Sequence, residues 1–260
     1  MTLTHSLKVH LRVFEIHRTT LRVVTLRPQT TVRFSTNYFH DTWHLLAGSD
    51  GAVLLGRLLW GLAFQRHPGT LVLLDDPHLV PTPFEADPPQ PVLLVPDGLT
   101  RIDTDVLRAL KVRLRRAPGS PTTIRWHTFG MPAALEQERP TRYEHAALRT
   151  RERMSCRAGF ICYTAPPAIL RTEALGIYRM HLSNGSYYPL AEYTAKHWHY
   201  DGEFQLIPGF DDDVSAAIVA RREILDGDVR PLASDAERHA VYDRKDDALR
   251  RLRAARRRPG

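Results

Sequence analysis

The chain has 260 residues, of which 43% are hydrophobic and 25% charged, a composition that excludes a disordered protein and indicates one large or two small globular domains. Its net charge of +7 permits binding to nucleic acid, although the strong preference for arginine over lysine is typical of a high-GC bacterial genome and accounts for part of the basicity. Two cysteines exclude a disulfide framework, and no apolar stretch suits a signal peptide or a membrane span, so we expect a cytoplasmic protein.

The N-terminal segment predicts antiparallel strands. Leu7 to Ile16 alternates apolar and charged residues, as a half-buried strand does, and Leu21 to Leu26 and Thr31 to Ser35 are suitable partners in a meander. Trp43 to Ala47 is a further predicted strand. It leads into Ala52 to Arg66, which is apolar on nearly all sides and is therefore predicted to be a buried helix.

The next segment predicts a layered α/β core. Thr70 to Leu74 and Val92 to Val95 are short apolar runs that suit central strands covered on both faces. Asp103 to Arg116 has the spacing of an amphipathic helix, and Thr122 to Phe129 is predicted to return as a strand. Strands that alternate with helices in this way indicate an α/β fold.

The second half of the chain is predicted to be smaller and mixed. Residues 131–155 are polar and broken by proline, which predicts a connection, and Ala158 to Thr164 predicts a strand. Ile177 to Ser183 and Ser186 to Leu190 flank Asn184-Gly185, a residue pair that favours a tight hairpin.

These elements predict an α/β fold in which antiparallel N-terminal strands lead into a layered α/β core, followed by a smaller α+β part with a C-terminal helix. The predicted boundaries divide the chain into an α/β core at 1–131, a connection at 132–157, an α+β region at 158–232, and an Arg-rich helix and tail at 233–260. Ser234 and Glu237 form the capping box that opens this last helix.

The segment from His197 to Glu203 contains two imidazoles and two carboxylates. On a strand, His197 and His199 project from one face, and such a pair suits a divalent transition metal. Asp201-Gly202 favours a hairpin turn, for which two registers are open. A two-residue turn places Glu203 on the face away from the imidazoles, whereas a three-residue Tyr200-Asp201-Gly202 loop pairs His199 with Glu203. Only the second register brings His197, His199 and Glu203 together as ligands.

In that second register the segment resembles the first metal-binding motif of the cupin family. His197, His199 and Glu203 match a His-x-His pair with a glutamate on the next strand, and Gly209 lies one residue before the position of the motif's closing glycine. The resemblance implies a metal ion held by these three side chains. It is confined to this segment, because Ala191 stands in place of the motif's leading glycine and the second cupin motif is absent. An aromatic strand with exposed histidines, or a helix, explains the same segment without a metal.

A second candidate pocket comes from the ends of the two central strands. Asp75, Asp76 and Asp97 directly follow these strands, with His78 nearby. If the strands are parallel, their carboxyl ends meet at one edge of the sheet, where α/β proteins bind ligands. The strand before Asp75 and Asp76 resembles a Walker B strand, but the Walker A motif is absent from the sequence, which excludes a P-loop ATPase.

Two basic segments are candidates for contact with nucleic acid. Arg108, Lys111 and Arg115 recur on one face of the helix predicted at 103–116. In the C-terminal helix, Asp246 and Asp247 are predicted to pair with the arginines four residues later. The arginines that this pairing leaves free are Arg253, Arg256, Arg257 and Arg258.

Two functional hypotheses follow, from different classes. The first is a nucleic-acid-associated binding or regulatory protein that uses the basic helix and the Arg-rich tail. The second is a metal-dependent enzyme acting on a small or nucleotide substrate, with His197 and His199 as ligands and Glu203 as third ligand or base. A structural or interaction protein without a ligand is the third hypothesis.

Overall fold

The computed structural model describes residues 5–116, 120–137, 145–182, 186–192 and 200–256. Within these ranges the chain forms a seven-stranded sheet, a four-stranded sheet and the helices that cover them, so the predicted α/β fold class is confirmed.

The strands are β1 (Ser6–Ile16), β2 (Thr19–Thr25), β3 (Phe34–Phe39), β4 (Thr42–Ala47), β5 (Thr70–Leu74), β6 (Val92–Pro96), β7 (Thr122–His127), β8 (Arg153–Arg157), β9 (Phe160–Ala165), β10 (Tyr187–Glu192) and β11 (Tyr200–Leu206). The helices are α1 (Ser49–Ala63), α2 (Thr104–Arg116), α3 (Met131–Glu136), α4 (Ala146–Arg149), α5 (Pro167–Met180), α6 (Phe210–Ile224) and α7 (Asp235–Arg256). Most elements predicted for the first half of the chain are confirmed, with their ends moved by a few residues.

The large sheet has the strand order β7-β1-β2-β5-β6-β9-β8. Its neighbours are antiparallel except for two parallel pairs, β2 with β5 and β6 with β9. Strands β5 and β6 are apolar and buried along their whole length, as expected for central strands. Strands β5 and β6 are antiparallel to each other. The carboxyl ends of β2 and β5 therefore lie at one end of the strands of the sheet, and those of β6 and β9 lie at the opposite end.

The small sheet has the strand order β10-β11-β4-β3. Strand β4 is antiparallel to β3 and parallel to β11. His40 and Asp41 form the β3–β4 turn with φ of 49° and 59°, as a type I′ turn requires. The two faces of β4 serve different layers, since Leu45 packs in the main core and Leu46 packs against α6.

The helices and sheets stack in layers. Helix α2 packs on one face of the large sheet. Helices α1 and α5, with one face of the small sheet, pack on its other face and enclose the main core. Helix α6 covers the outer face of the small sheet, and α7 packs on α6. The two basic helices, α2 and α7, therefore belong to opposite outer layers.

Helices α1 and α5 approach closely because α1 has a glycine at the contact. A Cβ on Gly56 would lie 2.7 Å from the carbonyl oxygen of Ala174 and 2.9 Å from Cβ of Tyr178. Helix α1 is buried on nearly every side, as predicted. Its apolar surface therefore contributes to the main core over its full length.

The meander predicted for the N-terminus is correct only for β1 and β2. The third predicted strand, 31–35, is replaced by β3, which begins at Phe34 and pairs with β4 in the small sheet. Pro28 follows β2 and has no N–H for a strand ladder, and the N–H of Thr30 donates to the carbonyl of Arg27 at 2.8 Å. This turn redirects the chain to the second sheet.

The first arm of the hairpin predicted around Asn184-Gly185 is wrong. Ile177 lies in α5, while the second arm is confirmed as β10 and residues 183–185 lie outside the described residues. The buried face of α5 includes Glu173, so its apolar stripe is interrupted by a charge. Ile177 and Tyr178 also favour a strand locally, and tertiary packing overrides that preference.

The hairpin turn predicted at Asp201-Gly202 is also wrong. Gly202 lies inside β11, paired with Leu190 of β10 and with Trp43 of β4. A Cβ on Gly202 would lie 2.0 Å from the sulfur of Met154, so the glycine permits a close approach of β8. Neither predicted register exists, and the segment that joins β10 to β11 lies outside the described residues.

The capping box of α7 is confirmed. The N–H of Glu237 donates to Ser234 Oγ at 3.2 Å, and the N–H of Ala233 donates to Glu237 Oε2 at 2.6 Å. The Arg230 guanidinium, followed by the Ala233 amide, lowers the pKa of Glu237 to about 2. Helix α7 therefore begins at a defined position.

Residues 132–157, predicted as a connection, include most of α3, all of α4 and β8, and β8 is an edge strand of the large sheet. The division of the chain at 131, 157 and 232 stays a prediction. Within the described ranges, no helix combines the length and the apolar character that crossing a membrane requires.

Candidate functional site

The predicted metal ligands fall only partly within the described residues. His197 and His199 lie outside them. Glu203 lies on β11 beside His44 of β4, with 3.3 Å between His44 Nε2 and Glu203 Oε1. The two side chains are 8% and 14% exposed, so the pair is largely removed from solvent.

The environment of this pair favours a neutral imidazole. Burial lowers the pKa of His44, Glu203 raises it, and His40 lowers it again. Gln205 donates its side-chain amide to Glu203 Oε1. Across the residues that the structure describes, no group of three His, Cys, Asp or Glu side chains is placed to hold a metal ion. The metal-enzyme hypothesis therefore stays a prediction.

The second candidate pocket does not assemble. Asp75 and Asp76 follow β5 and Asp97 follows β6, and these strands are antiparallel rather than parallel. Asp97 consequently lies at the opposite edge of the sheet, where its carboxylate is 2.6 Å from a guanidinium nitrogen of Arg151. Two apolar strands give no sequence signal of their relative direction, and this accounts for the error.

Asp75 and His78 do lie together at their own edge of the sheet. The N–H of His78 donates to the carbonyl of Asp75 at 2.8 Å, and the His78 side chain is buried. Burial raises the pKa of Asp75 to about 6, against the opposing effect of Arg12. Asp75 is therefore protonated over a wider pH range than an ordinary aspartate.

The basic face of α2 is partly engaged in contacts within the protein. Arg108 forms an exposed ion pair with Asp105 at 2.8 Å, and Arg115 is exposed. Lys111 Nζ donates to the carbonyl of Ala158 at 3.2 Å. This bond fixes α2 to the β8–β9 turn, directly after β8.

The C-terminal arginines are more engaged than predicted. Arg250 pairs with Asp247, and Arg251 pairs with Glu223 of α6 at 2.7 Å, so the predicted pairs four residues apart do not form. The buried side of α7 packs on α6, and this brings Glu223 within reach of α7.

The tail contributes less free charge than the sequence suggested. Arg256, predicted to be free, binds Asp212 of α6. Arg253 is exposed on α7, and Arg257 and Arg258 lie outside the described residues.

A cavity of about 570 Å³, not predicted from the sequence, lies at the edge of the large sheet where β6 and β9 end. We call it the arginine cavity, after Arg101, Arg151, Arg153 and Arg157, which line it. The carboxyl ends of parallel strands are where α/β sheets usually bind ligands. Since β6 and β9 are parallel, the arginine cavity occupies that position.

Strand β8 forms one wall of the arginine cavity. Arg153, Ser155 and Arg157 alternate along β8 and therefore share one face, and Thr164 of β9 pairs with Arg153. Arg157 donates to the carbonyl of Ile102 at 3.2 Å, which links this wall to the loop between β6 and α2.

The described lining of the cavity carries four guanidinium groups and one carboxylate, a net excess of three positive charges within the lining, and Asp201 outside the lining interacts electrostatically with Arg153. The carboxylate is that of Asp97, which pairs with Arg151. Among described residues, Arg101, Arg153 and Arg157 have no carboxylate within 4.0 Å. Such a concentration of unpaired guanidinium groups favours an anionic ligand.

The uncharged part of the lining is small and polar. Ser155 and Thr164 present hydroxyl groups, whereas the hydroxyls of Thr100 and Thr150 already donate to backbone carbonyls. None of the described residues that line the cavity is aromatic. The cavity therefore suits phosphate and sugar groups better than a stacked base.

A buried ionic cluster lies behind the arginine cavity, on the other face of the sheet. Arg149 is 3.0 Å from Glu152 and 2.9 Å from Glu173, and Tyr163 donates its hydroxyl to Glu152 at 2.6 Å. All four side chains are at least 95% buried. They fix both ends of the segment 149–152, whose two intervening residues, Thr150 and Arg151, line the cavity.

The pKa values of the cluster follow from its burial. Burial, reinforced by Glu152 and Glu173, raises the pKa of Tyr163 well above its ordinary value. Burial alone would lower the pKa of Arg149, but the two glutamates raise it. The tyrosine therefore stays neutral and the arginine stays charged across the physiological pH range.

One sequence signal pointed to the arginine cavity. Arg153 follows Arg151 by two residues, and Arg157 follows Arg153 by four. Such even spacing places side chains on one face of a strand. Arg101 lies about fifty residues away in the chain and joins them only through the pairing of β6 with β9.

Comparison with known proteins adds no relative. No protein-family model, curated protein or solved structure matches the chain.

Proposed function

We propose that the protein is a nucleic-acid-associated binding protein, and that it holds phosphate groups in the arginine cavity and along α2. The observation that carries the proposal is the net excess of three guanidinium charges in one cavity at the carboxyl ends of β6 and β9. Arginine is the side chain best suited to phosphate, because its planar guanidinium donates two parallel hydrogen bonds.

The basic surface continues outside the cavity, which favours a long polyanion over a small one. Lys111 contacts Ala158, the residue after Arg157 of the cavity wall. Arg108 and Arg115 lie three and four residues from Lys111 and so share its side of α2. A polymer with phosphates at regular intervals can contact the cavity and α2 together.

The C-terminal tail is not part of this proposed surface. Helix α7 lies on α6, beyond the small sheet, whereas the cavity and α2 lie on the far side of the large sheet. The contribution of the basic helix expected from the sequence is retained in the proposal, and that of the tail is replaced by the arginine cavity.

Fluorescence anisotropy with labelled single-stranded and duplex oligonucleotides tests the proposal. The double variant Arg153→Ala/Arg157→Ala should bind at least about tenfold more weakly than the wild type. The matched variant Arg250→Ala/Arg253→Ala removes the same charge from α7 and should bind like the wild type. Equal losses in both variants would show a nonspecific effect of net charge, and a loss confined to the second would place the interface on the tail. Either outcome contradicts the proposal.

A further inference from the structure

We propose that the arginine cavity receives the phosphorylated end of a nucleic-acid chain, with a terminal phosphate monoester seated among its arginines. This inference rests on the proposed function and specifies the ligand of the same site.

The charge of the cavity fits a chain end better than an internal segment. Each internal phosphodiester carries a single negative charge. A terminal monoester carries close to two at neutral pH. A terminal phosphate and the next phosphodiester together bring about three charges, which equals the excess of four guanidinium groups over the Asp97 carboxylate. An internal segment would have to place three consecutive phosphodiesters in the same space.

The lining of the site comes from several separate segments. Strand β8, the β6–α2 loop and the segment before β8 each supply part of the lining, represented by Arg157, Arg101 and Arg151. Val95 and Thr164, near the ends of β6 and β9, supply the rest. These segments surround an open mouth, so the charge of the site, and not its shape, distinguishes a chain end from an internal segment.

The chain that follows the terminal phosphate has a basic path away from the cavity. Arg157 lies at the end of β8, and Lys111 of α2 contacts the next residue, Ala158. The described lining offers no aromatic ring for a base. Recognition of the end therefore depends on the phosphate and not on the base sequence.

Four single-stranded ligands of one sequence test the inference: a 5′-phosphorylated strand, a 3′-phosphorylated strand, a strand with neither phosphate, and a closed circle. One phosphorylated strand should bind about tenfold tighter than both the unphosphorylated strand and the circle. Arg153→Ala should reduce this ratio towards one. Lys111→Ala should weaken all four ligands by a similar factor, and Arg250→Ala, an exposed change on α7, should leave the ratio unchanged.

The two proposals fail in different ways. Equal binding of all four ligands, with affinity that falls as salt rises, would overturn recognition of the chain end and leave the proposed function intact. Absence of binding to all four ligands and to the duplex oligonucleotide would overturn both proposals. Retention of the ratio in the Arg153→Ala variant, with its melting temperature unchanged, would place end recognition outside the cavity and contradict the inference.

Discussion

Glu203 of β11 and His44 of β4 lie side by side on adjacent parallel strands, with 3.3 Å between His44 Nε2 and Glu203 Oε1. The sequence linked Glu203 to His197 and His199, its neighbours in the chain. Within the described residues its histidine partner is His44, which comes from the first half of the chain. The small sheet, and not a local hairpin, places Glu203.

The His44–Glu203 pair predicts a measurable change in the pKa of the histidine. Burial lowers the pKa of His44 and the Glu203 carboxylate raises it. Glu203→Gln removes the raising charge, so the pKa of His44 should fall further. An NMR titration of the histidine side chains measures it. An unchanged or higher pKa in the variant would contradict the contact.

The buried cluster predicts a large difference between two arginines that are two residues apart. Arg149→Met removes the Arg149 cation from the buried Glu152 and Glu173 and should lower the free energy of unfolding by about 3–5 kcal/mol. Arg151→Met breaks a partly exposed ion pair with Asp97, so the expected loss is about 0–1 kcal/mol. Urea denaturation compares the variants. Similar losses at the two positions would show that Arg149 is not a buried charge partner.

The Tyr163 hydroxyl tests the same cluster by a gentler change. Tyr163→Phe removes the donor to Glu152 Oε1 while keeping the ring, and the expected loss is about 1–3 kcal/mol. Near-UV circular dichroism checks that the core remains packed. If Tyr163→Phe left the free energy of unfolding unchanged, the hydrogen bond to Glu152 would contribute nothing to stability.

The contact between α1 and α5 predicts that alanine, normally a better helix former than glycine, destabilises at one position. Gly56→Ala gains about 1 kcal/mol of helix propensity but places Cβ against the backbone of Ala174, so the net effect should be a loss of about 1–3 kcal/mol. Gly48→Ala is the control, since its new methyl would lie 3.5 Å from Cβ of Phe210, an ordinary van der Waals contact, and should cost less. Thermal denaturation measures both. A more stable Gly56→Ala protein would contradict the close helix contact.

Asp75 predicts a pH-dependent stability. Burial raises its pKa in the folded protein to about 6, from 3.8. Its favourable contribution is therefore complete below pH 3.8 and is lost as pH rises through about 6, because the folded state then has to hold a buried charge. Asp75→Asn should become more stable than the wild type by about 1–3 kcal/mol at pH 7, and the difference should vanish near pH 4. Urea denaturation from pH 4 to pH 7 decides it, and a difference independent of pH would contradict the burial of Asp75.

Much of the secondary structure was predictable because local patterns specify it. Strands β5 and β6 are continuous apolar runs, α2 has a clear helical period, and Ser234 with Glu237 opens α7. Helix α5 was missed because Glu173 interrupts its buried face, where Arg149 compensates the charge. That compensation comes from a distant segment and leaves no local pattern.

The candidate site was less predictable than the fold. Asp75 and Asp97 were expected together, and strand direction separates them. The arginine cavity was missed because its side chains come from separate segments that only the pairing of β6, β9 and β8 brings together. A net basic charge indicated an acidic partner, but a sum over the chain cannot show that three unpaired guanidinium groups share one cavity.

The salt dependence of binding tests the central claim most directly. In a plot of the logarithm of the binding constant against the logarithm of the salt concentration, the slope is negative. Each phosphate contact makes that slope steeper by about 0.7 for a single strand. Wild-type binding to a single-stranded oligonucleotide should weaken steeply with salt, and Arg153→Ala/Arg157→Ala should reduce the magnitude of the slope by about 1.4. An identical slope in the wild type and the variant, or wild-type affinity that does not change with salt, would contradict phosphate binding in the arginine cavity.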